Sequence, residues 1–263
     1  MINLVQFIYF GGQCPWKEWM IEQIISSTEI LGIKYELIDL MEYPEYAEKY
    51  ELYFPFTIIF DNSLKIPSPI SAGEIVKIAK EGYNVHTPIS SSTRKKGEAE
   101  KINSLTIENI QDSCLICNAS TNPSYCFSKT NWALKINQLI PNNILGFISY
   151  INEETAAVVE FLPSNLIPYP IPKKEKSNMF ITCIYSSFYQ GPDYRGEILE
   201  KAIEYLSEIN FDKISVISGE NGAFPNGPKN FFLDYGFSVK KELGEVYLKA
   251  GIDNLIFMEK KIK

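Results

Sequence analysis

The chain has a single histidine, His86, and no basic run longer than Arg94-Lys95-Lys96. Its net charge is -7 with the signs interspersed, whereas phosphate backbones are bound by clustered cations, so nucleic acid is not expected as a partner. Apolar runs of bilayer length are also missing. The stretch from Met1 to Phe10 is apolar, but it has no basic start and no small-residue cleavage site, and Gly11-Gly12 ends it. The chain therefore reads as cytoplasmic, without a membrane partner and as a monomer or homodimer. No internal repeat is present. The cysteines are five, an odd number scattered along the chain, which is not a disulfide framework; a reducing compartment keeps them as thiols.

What is present fits two α/β domains in tandem, since 263 residues at 45% hydrophobic can fill two ordinary cores. Residues 2–10 suit a buried strand, and Trp16, Met20, Ile24 and Ile25 recur at helical spacing until Gly32. Strands over Ile33 to Leu40, Thr57 to Phe60 and Leu64 to Pro67 follow, with helices from Pro44 to Leu52 and from Ser71 to Lys80. Ser, Thr, Lys and Glu then dominate, and the expected division is a domain over 1–88, a linker over 89–103 and a second domain over 104–263. In the second domain, apolar runs at Ile144–Ile151, Ala156–Leu162, Phe180–Tyr185, Lys213–Ile217 and Leu255–Met258 read as strands. Ile198, Leu199, Ala202, Ile203 and Leu206 mark an amphipathic helix, and a short helix from Pro228 to Tyr235 is ended by Gly236.

Two segments carry chemistry. Gly12-Gln13-Cys14-Pro15-Trp16-Lys17 sets a thiol at the start of a helix, where unpaired amides and the helix dipole favour thiolate and Lys17 adds a positive charge. With Phe54-Pro55-Phe56-Thr57 before a strand, residues 1 to about 82 resemble the thioredoxin family, in which a cis proline faces the redox cysteine. The resemblance implies a thiol role for Cys14, with Pro55 as the proline that faces it. Lys17 stands where a dithiol enzyme of that family has its second cysteine, so this motif by itself closes no disulfide and a dithiol oxidoreductase is not expected.

In the second segment, the strand Phe180 to Tyr185 leads through Gln190-Gly191-Pro192-Asp193-Tyr194-Arg195-Gly196 into the amphipathic helix, a geometry that points backbone amides at an anion. This order of elements, ending in Asn230-Phe231-Phe232-Leu233-Asp234-Tyr235-Gly236-Phe237, resembles the GNAT (Gcn5-related N-acetyltransferase) family. Thr106-Ile107-Glu108-Asn109-Ile110, Glu160-Phe161-Leu162-Pro163, Tyr169-Pro170-Ile171 and Gly227-Pro228-Lys229 are similar to its YoaP-like group, which carries a Cys-Pro thioredoxin-like segment after the acetyltransferase domain; here the order is reversed.

The resemblance implies an acyl-CoA N-acyltransferase fold with a mixed, mostly antiparallel sheet and direct acetyl transfer from acetyl-CoA to an amine of a small molecule or peptide. It also implies cofactor contacts from Cys183, Ile184, Tyr185, Gln190, Gly191, Asp193, Tyr194, Arg195, Gly196 and Asn230. For catalysis the candidates are Glu160 as base and Tyr185. Asp193 and Arg195 replace glycines of the usual loop and Pro192 its lysine, while Phe232 stands where many members have a tyrosine acid. These departures motivate the alternatives of a catalytically weak acyl-CoA or thiol-binding protein, or a monothiol redox module using Cys14. Cys114, Cys117 and Cys126 lack a fourth ligand, so no metal is expected.

Overall fold

The computed structural model describes the chain apart from residues 1, 86, 91–93, 118–122, 187–190, 223 and 225 and the side chains of residues 123 and 124. The first half is a four-stranded sheet in the order β2-β1-β3-β4, formed by β1 (Leu4–Tyr9), β2 (Lys34–Asp39), β3 (Phe56–Phe60) and β4 (Leu64–Ile66). β1 runs parallel to β2 and antiparallel to β3, and β4 turns back along β3. Three helices accompany it: α1 (Trp16–Leu31), α2 (Glu45–Lys49) and α3 (Ala72–Glu81). Gly32 ends α1 at φ +64, a left-handed conformation that glycine adopts without side-chain strain, and Ser71 with Glu74 forms a reciprocal capping box at α3.

β1 is apolar apart from Gln6, which is buried and hydrogen-bonded to Glu36 and Tyr50, because both of its faces are covered. Val5 and Phe7 pack with Met20, Ile24 and Ile75 of α1 and α3. Ile8, followed by Phe10, faces the other way and joins a core that includes Ile148, Val158, Phe180, Ile217 and Phe257 of the second half. The two halves thus share one apolar core.

The second half is a seven-stranded mixed sheet in the order β10-β11-β9-β8-β7-β6-β5. Its strands are β5 (Lys101–Leu105), β6 (Gly146–Ile151), β7 (Glu154–Pro163), β8 (Asn178–Ser186), β9 (Lys213–Gly219), β10 (Ser238–Leu248) and β11 (Gly251–Lys261), and only β8 and β9 pair in parallel. Helices α4 (Asp112–Leu115) and α5 (Pro123–Asn137) precede β6, α6 (Arg195–Glu208) crosses from β8 to β9, and α7 (Lys229–Asp234) precedes β10. The stripe on α6 is buried as its spacing predicts, through Ile198, Leu199, Ala202 and Leu206.

β5 and β10 escape a reading based on apolar runs. Both are edge strands, and β10 is mostly exposed, so neither needs a continuous hydrophobic signal. The Ser- and Lys-rich segment before β5 is held through its backbone: Ile89 N donates to Ile252 O at 3.1 Å, Asp193 N to Lys95 O at 2.7 Å and Gly97 N to Asp193 O at 3.0 Å. Apolar composition does not report such contacts.

Gly12 sits where α1 meets α5, and a Cβ added there would run into the Ser128 carbonyl. Gly12→Ala is expected to destabilise the protein by about 1–3 kcal/mol through this overpacking, measured as a lower midpoint in thermal or urea unfolding.

Candidate active site between the halves

β8 and β9 pair only as far as Ile181 and Val216, and beyond that point they part. On its other edge β8 carries one extra residue, Thr182, against β7, where the register shifts between Glu160 and Phe161. This bulge re-aims the side chains of β8 where the split begins. Two cavities lie there, of about 500 Å³ and about 720 Å³, and Tyr185, Phe224 and Pro69 line both.

Residues of both halves line the smaller cavity. Gln13, Cys14, Trp16 and Pro55 contribute from the first, and Cys117, Lys129, Glu160, Thr182 and Cys183 from the second. Cys14 and Pro55 are thus brought together, and the Pro55 carbonyl accepts from Phe10 N at 2.9 Å. Glu160 on β7 is only 2% exposed, and its Oε1 is ion-paired to Lys129 Nζ of α5. Gln13 Nε2 lies 3.5 Å from both Glu160 Oε2 and the Thr182 carbonyl. Burial pulls the Lys129 pKa down, but the Glu160 charge more than offsets it, and the ammonium titrates above the ordinary lysine range. The pair is therefore a mutually neutralised interior ion pair.

Lys129 is absent from the sequence-based site. A signal for it exists: Cys126, Ala133 and Ile136 mark the buried face of α5, and Lys129 interrupts that face at helical spacing. Gln13 sits in the Cys-Pro segment without having been assigned a role there.

The thiols depart from expectation. Burial pushes Cys14 up to about 12, outweighing the backbone hydrogen bond from Trp16. Lys17 does not counter this, because its ammonium lies 2.8 Å from Glu18 Oε1 and 3.3 Å from Ser128 Oγ, above the Tyr9 ring. The expectation of a depressed thiol is corrected: desolvation wins over the helix dipole. Burial likewise raises Cys117 to about 12 and lifts Cys183. Cys114 and Cys126 are buried together, and their thiols are hydrogen-bonded to one another. Among the described residues, no group of three or more His, Cys, Asp or Glu side chains is arranged to hold a metal ion.

Arg94, Arg195 and Lys249 bring cationic side chains to the larger cavity. Arg195 opens α6 and forks onto Asp193, with Nε 2.9 Å from Oδ1 and Nη2 2.6 Å from Oδ2. It also donates to the Asn226 carbonyl at 3.2 Å and lies over the Phe231 ring. Burial would raise the Asp193 carboxyl, but the hydrogen bonds and charge of Arg195 hold it below the usual range. Arg94 Nε donates to the Gly191 carbonyl at 2.9 Å. Asn226 spans the parted strands, accepting from Ile184 N at 3.0 Å and donating to the Ile217 carbonyl at 2.9 Å.

Of the residues assigned from sequence to the cofactor, Cys183, Tyr185 and Arg195 line the cavities. Ile184 is buried, with its amide engaged by Asn226. The Asp193 amide goes to Lys95, and Tyr194 packs where a side chain on Gly97 would collide. Gly196 lies under the Tyr235 hydroxyl, which a Cβ would meet. Asn230 is exposed on α7 and lines neither cavity. Gln190 falls outside the described residues. Tyr169 is a core residue between Phe10 and Phe180, and Phe232 is fully buried.

At the larger cavity the groups that could meet an anion, such as the phosphate end of a coenzyme A molecule, are side chains rather than loop amides, with Arg195 ion-paired to Asp193 and Lys249 to Glu74. Three cationic residues and the buried Ser186 hydroxyl, which has no hydrogen-bond partner among the described residues, line the larger cavity. The amide of Asp193, in contrast, is already bonded.

No family model and no curated protein matches the chain. The structure is similar to an N-acetyltransferase from Staphylococcus aureus Mu50, with 13% identity and a TM-score of 0.46 over 64% of this chain and 100% of that one. It is also similar to the ribosomal-protein-S18-alanine N-acetyltransferase from Escherichia coli, with 16% identity and a TM-score of 0.44 over 62% of this chain and 94% of that one. A GNAT-family acetyltransferase from Streptococcus pneumoniae aligns with 13% identity and a TM-score of 0.46 over 62% of this chain and 99% of that one.

Lys129→Met strands the Glu160 carboxylate and is expected to lower stability by about 3–5 kcal/mol. Adding Glu160→Leu should recover much of that loss, read as the midpoint of urea unfolding. The raised Cys14 pKa implies stability that is fully present below the unfolded thiol pKa of about 8.5 and lost as pH rises toward 12. Alkylation of Cys14 by iodoacetamide should accordingly keep accelerating well above the ordinary thiol pKa of about 8.5, toward 12. A rate that levels off near neutrality would mean that the helix dipole governs after all.

Proposed function

We propose that the protein is an acyl-CoA-dependent N-acyltransferase that passes an acetyl group directly to an amine of a small molecule or peptide. One observation carries this reading: β8 parts from β9 beside the start of α6, with a cation-rimmed cavity and a carboxylate-bearing cavity that meet at Tyr185. A thioester arm laid through the parted strands would have its phosphates among Arg94, Arg195 and Lys249 and its acyl end near Tyr185 and Cys183. The amine would enter the smaller cavity, which the Glu160 carboxylate faces as the candidate proton acceptor. Bound acetyl-CoA supplies the activated acyl group; the chain supplies alignment and proton transfer.

The first half forms the opposite wall of the amine cavity in this reading. Its topology, with Cys14 before α1 and Pro55 before β3, supports a thioredoxin-like module used for acceptor recognition.

A second reading, an acyl-CoA-binding protein of weak or no catalytic power, is favoured by specific contacts. The Asp193 amide is bonded to Lys95, the Ile184 amide to Asn226, and Phe232 gives no hydroxyl for a departing thiolate.

Calorimetric titration of acetyl-CoA and free CoA into the wild type, Arg195→Ala and Lys249→Ala tests the first step. Wild-type binding is expected, weakened about tenfold or more in each variant, the equivalent of about 1.4 kcal/mol. The reading fails if no acyl-CoA binds. If it binds but CoA release stays at the hydrolytic background across a panel of primary amines, the second reading stands.

A further inference from the structure

Lys17 stands where a second cysteine would complete a dithiol motif, yet the fold brings other thiols to Cys14. Cys117 and Cys183 line the same cavity, 103 and 169 residues away in the chain. They are not equivalent. Cys183 is fixed in β8, opposite Glu160 in the ladder with β7. Cys14 lies in the turn before α1 and Cys117 in the turn after α4. Neither Cys14 nor Cys117 belongs to a strand ladder, so an approach to the Cα separation of roughly 4.4–6.8 Å that a disulfide requires breaks no ladder hydrogen bond.

We propose that Cys14 and Cys117 form a thiol–disulfide exchange centre across the cavity between the halves, working on low-molecular-weight disulfides that carry amide groups. Cys14 attacks one sulfur of the disulfide, forming a mixed disulfide and releasing one thiol, with the Cys14 proton passing to the leaving sulfur. Cys117 then attacks the Cys14 sulfur, forming the Cys14–Cys117 disulfide and releasing the second thiol, again with transfer of its proton. The two thiols of the chain are oxidised, and one external disulfide is reduced to two thiols.

Two further observations point to a ligand with amide character. Gln13 Oε1 and Thr182 Oγ1 have no hydrogen-bond partner among the described residues. Their residues are 2% and 4% exposed and line the same cavity, of about 500 Å³, so a bound peptide-like group would satisfy both. Lys129 and Glu160 neutralise each other, leaving the wall without net charge. Cys14 and Cys117 are each partly exposed, which gives a small disulfide access. Burial keeps both thiols protonated at neutral pH, which makes the exchange slow and the resulting disulfide, with its poor leaving groups, persistent. This centre does not depend on acyl transfer, and its readout is sulfur connectivity alone.

The test is incubation of the reduced full-length chain with oxidised glutathione at pH 8, followed by thiol titration and mass-spectrometric peptide mapping. Two of the five thiols should disappear, with a cross-linked peptide pair containing Cys14 and Cys117, reversed by dithiothreitol. Cys117→Ser should accumulate a glutathione adduct on Cys14 that the wild type does not retain, and Cys183→Ser should still form the cross-link. Five thiols still titrating, a cross-link joining Cys14 to Cys183 or Cys114 to Cys126 instead, or a Cys117→Ser protein that behaves as the wild type would each overturn the proposal.

Discussion

Everything at the centre of this molecule depends on β1 being buried on both faces. One face closes the first half against α1 and α3 through Val5 and Phe7, and the other presents Ile8, continued by Phe10, to the core beneath the larger sheet. Because that second face is apolar and desolvated, the two halves are not free to slide or separate without exposing it. The Cys-Pro turn leaves the end of β1 and is carried with it against α5, where Gly12 allows close approach to Ser128. Phe54 stacks on Phe224 with ring centroids 5.5 Å apart, fixing a second point of the same joint. The smaller cavity is what remains between these contacts.

Polar groups in that joint follow the rules of a dry interior. Glu160 is tolerable at 2% exposure only because Lys129 and Gln13 reach it from two different elements. For Cys14, Cys117 and Cys183 the cost of burial outweighs the pull of the Lys129 charge, and their thiols are raised. The elements of a reactive centre, a helix start, a cysteine and a neighbouring lysine, are all present in sequence order. Burial nevertheless reverses their expected effect, since Lys17 turns to Glu18 and Tyr9.

The larger cavity follows a different logic. Asp193 carries a negative charge just before α6, and the Arg195 fork two residues on counters it. The same fork reaches the Asn226 carbonyl, whose own carboxamide ties Ile184 to Ile217. The start of α6, the parted strands and the loop before α7 are thereby one hydrogen-bonded unit, and a change at Arg195 is felt at the split between β8 and β9.

Local pattern alone determined much of the chain course. The run in β1, the helical spacing ended by Gly32, the capping pair Ser71 and Glu74, the strand into the α6 loop and the stripe on α6 are short-range consequences of burial and capping. Edge strands β5 and β10 were not legible, because an edge needs no apolar signal. Nor was the fate of the segment around Lys95, held by backbone bonds to which side-chain composition is blind. Only the tertiary structure decided that Cys14 and Cys117 line one cavity, that Lys129 pairs with Glu160 and that Asn226 spans the split. Each of these joins residues from separate elements, 103, 31 and 42 positions apart for Cys14–Cys117, Lys129–Glu160 and Asn226–Ile184. At such separations no local periodicity carries information, and proximity is set by how two apolar faces pack.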